Sequence, residues 1–145
     1  MIIKATVSDA VGIAELAIQM WDSHTVSELA GEFADLLSGD EAVVFLYQVD
    51  GRSVGFAQCQ LRHDYVEGTE SSPVGYLEGV FVEPPCRKQG IGKKLVAACE
   101  RWAKEKGCTE FASDCELDNA QSLAFHLHSD FQETNRIVCF RKTIQ

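Results

Sequence analysis

Two carboxylates and one glycine-rich turn carry the chemistry open to this chain. Glu78 interrupts an otherwise apolar run, Val74 to Val82, that reads as a buried strand. A carboxylate there is costly unless paired, hydrogen-bonded or wet, which favours a site role over a structural ion pair. Asp114 closes the next expected strand, Cys108 to Cys115, at the end where open α/β sheets place their ligands. Two carboxylates at neighbouring strand ends suit a cationic amine. One can hold charge while the other accepts a proton, and residue type alone does not rank them.

Between those strands, Pro84 and Pro85 stop the first ladder. Arg87-Lys88-Gln89-Gly90-Ile91-Gly92 then leads into a helix expected over Lys93 to Lys106, with Leu95, Val96, Cys99, Trp102 and Ala103 at helical spacing. A strand, a turn rich in glycine and cations, and a helix start together form an anion site. Unpaired N–H groups point at the ligand and glycine lets the backbone come close. The pattern is neither of two better-known phosphate loops. Gly92-Lys93 lacks the upstream glycine and following hydroxyl of a P-loop, and the third glycine of a dinucleotide fingerprint is Leu95.

The elements that must position these groups follow from periodicity. Ile2 to Val7 reads as a strand, Ser8-Asp9 as a helix cap, and Val11 to about Trp21 as an amphipathic helix. Asp22-Ser23-His24 breaks it, and a second helix spans Val26 to Leu37 with Gly39 just past its end. Ala42 to Val49 and Val54 to Arg62 are strands joined by an Asp50-Gly51 hairpin. A polar, acidic connection, His63 to Pro73, precedes the central strand. Later come a helix over Ala120 to His128 capped by Leu117-Asp118-Asn119, then strands at Phe131 to Glu133 and Arg136 to Arg141. The order β-α-α-β-β-β-α-β-α-β-β, with a crossover helix between the Val74 and Cys108 strands, predicts a mixed, mostly antiparallel twisted α/β sheet. It has a central parallel strand pair and flanking helices.

At 145 residues and 46% hydrophobic content, one domain over 1–145 is expected. A net charge of −9 argues against nucleic acid and favours cationic partners. No apolar run approaches the ~20 residues of a membrane span, and the start lacks the features of a signal peptide, so a cytoplasmic location is expected. The six cysteines are scattered singly, without C-x-x-C or histidine at ligand spacing. They read as reduced, structural thiols with no metal site.

The R-x-x-G-x-G pattern at Arg87 to Gly92, after a strand ending Val-Phe-Val-x-Pro, resembles the acyl-CoA pyrophosphate loop of the GCN5-related N-acetyltransferases (GNAT). The element order matches that family over essentially the whole length. Within it, Met20 to His24, Arg62 to Val74, Leu77 to Val82, Glu110 to Asp114 and Phe131 to Thr134 resemble the aminoglycoside 6′-N-acetyltransferases of the chromosomal, dimeric kind. The resemblance implies acetyl-CoA as co-substrate, an aminoglycoside acceptor and a homodimer paired through late strands. The apolar Ile137-Val138-Cys139-Phe140 run fits such an edge contact and fits a buried strand equally well.

Residue by residue, the resemblance implies that Trp21, His24, Tyr65, Glu78 and Asp114 line the acceptor pocket. Asn135 stands where relatives often carry Glu, which removes one anionic contact. Val80, Phe81 and Val82 are implied to bind the pantetheine through their backbone. Lys88, Gln89, Gly90, Ile91, Gly92 and Lys93, with Arg87, are implied to cradle the pyrophosphate, and Asn119 to contact the cofactor. His126 occupies the place of the tyrosine that often protonates the departing thiolate, and Asp130 that of a glycine. An imidazole can serve as an acid near neutral pH or can pack against the cofactor. Read without the resemblance, Trp21 and Tyr65 are cation-facing rings or packing groups, and His24 is a pocket or a surface residue. Rival readings are an acetyltransferase of polyamines or protein amines, and a CoA-binding sensor without turnover.

Overall fold

One strand divides the interior into two layers. β2 (Ala42–Val49) turns Val44 and Leu46 to one face and Val43, Phe45 and Tyr47 to the other, as strand alternation requires. The computed structural model describes Met1–Gln145. On the first face lie α1 (Ala10–Ala17) and α2 (Val26–Leu37), whose Ile13, Leu16, Leu29 and Phe33 pack against Leu46 and Phe56. The second face is covered by α3 (Ile91–Glu105) through Leu95, Val96, Cys99 and Trp102.

The sheet runs β1 (Ile2–Lys4), β2, β3 (Arg52–Arg62), β4 (Val74–Val82) and β5 (Phe111–Ser113). All pairings are antiparallel except β4 with β5, which the α3 crossover makes parallel. At the Asp50-Gly51 hairpin both residues have positive φ, 51° and 77°, as the tight turn between twisted strands demands.

Two features of β4 create the opening the site needs. Its ladder to β5 ends at the Leu77–Ser113 rung, after which β4 continues to Val82 without a partner on that side. Opposite β3, Gln58 pairs with Gly79 and Cys59 with Leu77, which leaves Glu78 as the extra residue of a β-bulge.

Several sequence expectations are corrected. The first helical turn is capped from Thr6, whose N–H bonds the Asp9 carboxylate at 2.8 Å, and not from Ser8-Asp9. α1 ends at Ala17 and loosens into turns up to Met20. α2 closes at Ser38 and not at a left-handed Gly39. The strands expected at Phe131 to Glu133 and Arg136 to Arg141 do not form, so the parallel pair closes the sheet at its edge. A strand needs a ladder partner and a face to bury. β5 offers only three residues, and Ile137, Val138 and Phe140 stand 65–90% exposed. α4 (Ala120–His128) agrees with expectation, and Asn119 accepts the Ser122 N–H as its N-cap.

Candidate active site

The turn after β4 leaves backbone N–H groups free at the start of a helix. Pro84–Cys86 form one tight turn, and Lys88 and Gly90 both take positive φ, 64° and 79°. The second of these caps α3 and lets the chain enter the helix from the left-handed region that glycine tolerates. The first N–H groups of α3 have no partner within the helix, and a Cβ at Gly90 would project into open space above them. Gly92 is small for a different reason: a Cβ there would stand 2.9 Å from the Phe125 ring of α4. The glycine thus lets α4 close over the start of α3. The Arg87 Nε–H donates to the Val82 carbonyl at 2.7 Å, and its guanidinium lies 5.4 Å from the Phe81 ring centroid. Arg87 therefore shapes the loop from inside.

Beside this loop runs the unpaired edge of β4. The Glu83 N–H bonds back to Val54 of β3, so alternation turns the N–H and C=O of Val80 and Val82 outward to the open edge. Phe81 turns its backbone inward to β3, and its ring joins the α1–α2 core layer. Loop, helix start and open strand edge fit a long phosphorylated thioester such as acetyl-CoA. The anionic end meets free N–H groups, and the amide-bearing arm meets an unpaired strand.

On the sheet face under the His63–Pro73 connection, the two carboxylates are held by residues the sequence reading did not single out. The Arg62 guanidinium donates to Glu78 through three hydrogen bonds of 2.8–3.1 Å and lies 3.5 Å over the Tyr76 ring. The Tyr76 hydroxyl donates to Asp114 Oδ2. Burial first, and then that hydrogen bond, hold the Tyr76 phenol well above its ordinary range, so it stays a donor. A chain Glu78–Arg62–Tyr76–Asp114 thus crosses three strands. Its signal was present: residues 76 and 78 share a face at i, i+2, and Arg62, opposite Val74, is diagonal to Tyr76. Glu78 is partly covered and Asp114 is exposed. The guanidinium occupies most acceptor positions of Glu78, while Asp114 keeps Oδ1 free.

Four further residues are expected from the sequence at the acceptor pocket: Trp21, His24, Tyr65 and Asn135. Trp21 stacks on Phe33 and meets Phe56 edge-on, and it reaches Gly79, where a Cβ would stand 2.7 Å from its ring. It is core packing that also abuts β4 at Gly79. His24 sits outside, 3.8 Å from Glu28. Tyr65 is 77% exposed, and its hydroxyl lies 3.4 Å from Glu67. The Asn135 amide donates to the same Glu67 at 2.7 Å, which ties the C-terminal tail to the loop. That loop is fastened at its other end by Glu110, which accepts the Ser71 hydroxyl and the N–H groups of Glu70 and Ser71. These bonds, the Ser71 hydroxyl foremost, hold the Glu110 carboxyl below its ordinary range.

His126 lies on the opposite sheet face, with Nε2 2.8 Å from Ser113 Oγ. The Asn119 side chain is spent as a helix cap through its oxygen. The Cys99 thiol is pushed up by its hydrogen bond to Cys59 and by burial, and Cys108 by burial; neither is a thiolate at neutral pH. No group of three or more His, Cys, Asp or Glu side chains is arranged to hold a metal ion. No helix is long and apolar enough to cross a membrane.

The acetyltransferase (GNAT) family model matches residues 11–131. The chain belongs to the GNAT acetyltransferase family. Among GNAT relatives, an aminoglycoside N(6′)-acetyltransferase type 1 of Stenotrophomonas maltophilia is 42% identical over 98% of this chain and 92% of its own length. The enzyme of the same name from Salmonella typhimurium is 41% identical over 86% of each. A solved structure of the aminoglycoside N-acetyltransferase AAC(6′)-Iy in complex with CoA superposes with a TM-score of 0.95. It is 37% identical and covers 99% of this chain and 95% of its own. A second, of AAC(6′)-Iy with the bisubstrate analogue CoA-S-monomethyl-acetylneamine, gives 0.94 at 37% identity over 99% and 98%.

Proposed function

We propose that this GNAT enzyme transfers the acetyl group of acetyl-CoA to the 6′-amino group of aminoglycoside antibiotics and so confers resistance. The observation that carries the reading is the placement of Glu78 and Asp114 at the β4–β5 opening, beside the free edge of β4. The ~40% identity to enzymes named for that reaction, over nearly the whole chain, supports it.

Acetyl-CoA supplies an activated acyl group, and the chain's residues arrange its transfer. The start of α3, from Gly90 through Lys93, holds the pyrophosphate, with Lys88 and Gln89 lining the turn. Outward N–H groups of Val80 and Val82 orient the pantetheine, and one of them polarises the thioester carbonyl. Trp21, His24, Tyr65 and Asn135 frame the acceptor. An ammonium cannot attack, so it must first lose a proton to a carboxylate, directly or through water. Glu78, paired with Arg62, keeps one acceptor position for a hydrogen bond from the acceptor. Asp114, with a free oxygen facing solvent, takes the proton. Transfer is direct, without an acyl-enzyme.

The protein acts in the cytoplasm as a homodimer. The exposed Ile137, Val138, Phe140 and Ile144 and the short β5 edge support a second copy covering the tail; light scattering after gel filtration measures it. The decisive test is thiol release from acetyl-CoA with kanamycin or tobramycin, compared with spermidine and a lysine peptide. Saturable release with the aminoglycosides, and a 6′-acetylated product by NMR, is expected. Release with spermidine or peptide alone overturns the substrate, and CoA binding without release to any amine overturns the enzyme reading.

A further inference from the structure

Ser113 and Asp114 are consecutive, yet they serve opposite faces of the sheet. Asp114 meets Tyr76 on the carboxylate face, while Ser113 meets His126 of α4 on the face that α3 and the anion loop occupy. Ser113 also closes the last β4–β5 rung, and its hydroxyl donates to the Leu77 carbonyl at 3.1 Å. It therefore stands at the point where the two strands part.

The protons of this cluster can be counted. His126 Nδ1 lies 2.7 Å from the Ser122 carbonyl, which only accepts, so Nδ1 carries a hydrogen. Nε2 lies 2.8 Å from Ser113 Oγ. With a neutral ring, the single hydroxyl proton must choose between Nε2 and the Leu77 carbonyl. With an imidazolium, the chain Nε2–H to Oγ–H to Leu77 carbonyl is complete. The cluster has a place for one extra proton and a path along which it can move. Phe131, with its centroid 5.1 Å away, and Phe125, at 6.1 Å, fix the ring edge-on. These contacts and Ser122 are uncharged; the nearest titratable residues along the chain are Asp114 beside Ser113, and His128 and Asp130 beyond His126.

We propose that Ser113 and His126 form a proton relay to the leaving sulfur, with Ser113 as the group that touches it; this rests on the acetyl-transfer reading. Imidazole is shorter than the phenol that the family resemblance leads one to expect at position 126, and the serine hydroxyl supplies the missing reach. As the amine nitrogen bonds to the acetyl carbon, the C–S bond breaks with its electron pair on sulfur. Sulfur takes the Ser113 hydroxyl proton and Oγ takes the proton on Nε2. The result is a neutral thiol and a neutral His126, which solvent reprotonates at its partly exposed ring. The amine's own proton leaves on the other face, through Asp114.

Three variants, Ser113→Ala, Ser113→Thr and His126→Gln, test the relay. Nitrogen-15 NMR of the ligand-free enzyme should find the neutral ring of His126 protonated at Nδ1. CoA titration should give dissociation constants within about twofold of wild type, with kcat about 10- to 100-fold lower in Ser113→Ala and His126→Gln. The alkaline fall in kcat, as the imidazolium loses its proton, should vanish in both. The double variant should be no slower than His126→Gln alone, and Ser113→Thr should keep most of the rate. A ring protonated at Nε2, an unchanged alkaline limb, additive losses, or CoA affinity lost in step with rate would each overturn the relay. Any accepted amine serves the test. A wild type that acetylates spermidine and no aminoglycoside overturns the substrate while the relay is still measured, and one that acetylates nothing overturns both.

Discussion

The two halves of the proposed site, the donor loop after β4 and the acceptor wall of carboxylates, are built in opposite ways. The loop from Val82 to Lys93 is continuous sequence, works through backbone N–H groups and left-handed residues, and holds its own shape through Arg87 on Val82. The wall is assembled from the ends of β3, β4 and β5, works through side chains, and depends on pairings such as Arg62 with Glu78 and Tyr76 with Asp114. A ligand common to a whole family can be held by backbone geometry, which tolerates drift in side chains. A ligand that distinguishes one enzyme from another is met by side chains whose positions rest on tertiary contacts. The two regions should therefore fail separately.

The largest separation is expected from Asp114→Asn. It should lower kcat by about 10²–10³-fold, by loss of the proton acceptor, while the CoA dissociation constant from calorimetry stays within about twofold. Equal loss of CoA affinity would mean that the wall and the loop are one unit. Next in size is the converse break. Gly92→Ala places a methyl against Phe125, an overpacking of about 1–3 kcal/mol, and should lower Tm and weaken CoA binding. Gly92→Ala with Phe125→Leu should recover both in part, and if it does not, the glycine is required by the ligand and not by α4.

Arg62→Met comes third. It strips Glu78 of its charged hydrogen bonds, each worth about 1.5–3 kcal/mol, discounted here because the Arg62 side chain is 39% exposed. An approximately 10-fold loss in kcat/KM for the acceptor, partly restored by Arg62→Lys, is expected with CoA affinity unchanged. The smallest effect concerns the loop that carries Tyr65. Because its folded pKa is depressed, Glu110 contributes stability that is fully present above its ordinary value of about 4.3 and is lost as pH falls through the folded value. Ser71→Ala should give a small drop in Tm at pH 7 that closes as the pH falls through that folded value. A gap that persists in acid would assign the effect to packing.

Much of the fold was legible because it is local. β2, α2, β4 and α4 agree with their sequence boundaries, for each carries its own period, cap or stop: Thr25 before α2, Asn119 before α4, Pro84 after β4. The late strands failed because the apolar run Ile137 to Phe140 describes a willing strand without naming its partner, and β5 offers only three residues. In the site, Glu78 and Asp114 could be found because a carboxylate inside an apolar strand, or closing one, is out of place on its own. Arg62, Tyr76 and Ser113 could not, since each is an ordinary strand residue until its neighbours are known.

The sequence by itself determined a glycine-rich turn between Val82 and Lys93, the helix behind it, and two carboxylates in adjacent strands, Glu78 within one and Asp114 closing the other. These rest on steric and hydrogen-bonding rules that act within a few residues. Only the tertiary structure decided that Glu78 is paired with Arg62, that Asp114 keeps one oxygen free, and that His126 meets Ser113 on the far face. Those outcomes depend on a one-residue bulge and on where a parallel ladder ends, and a shift of one position in either would turn every one of these side chains to the other side of the sheet.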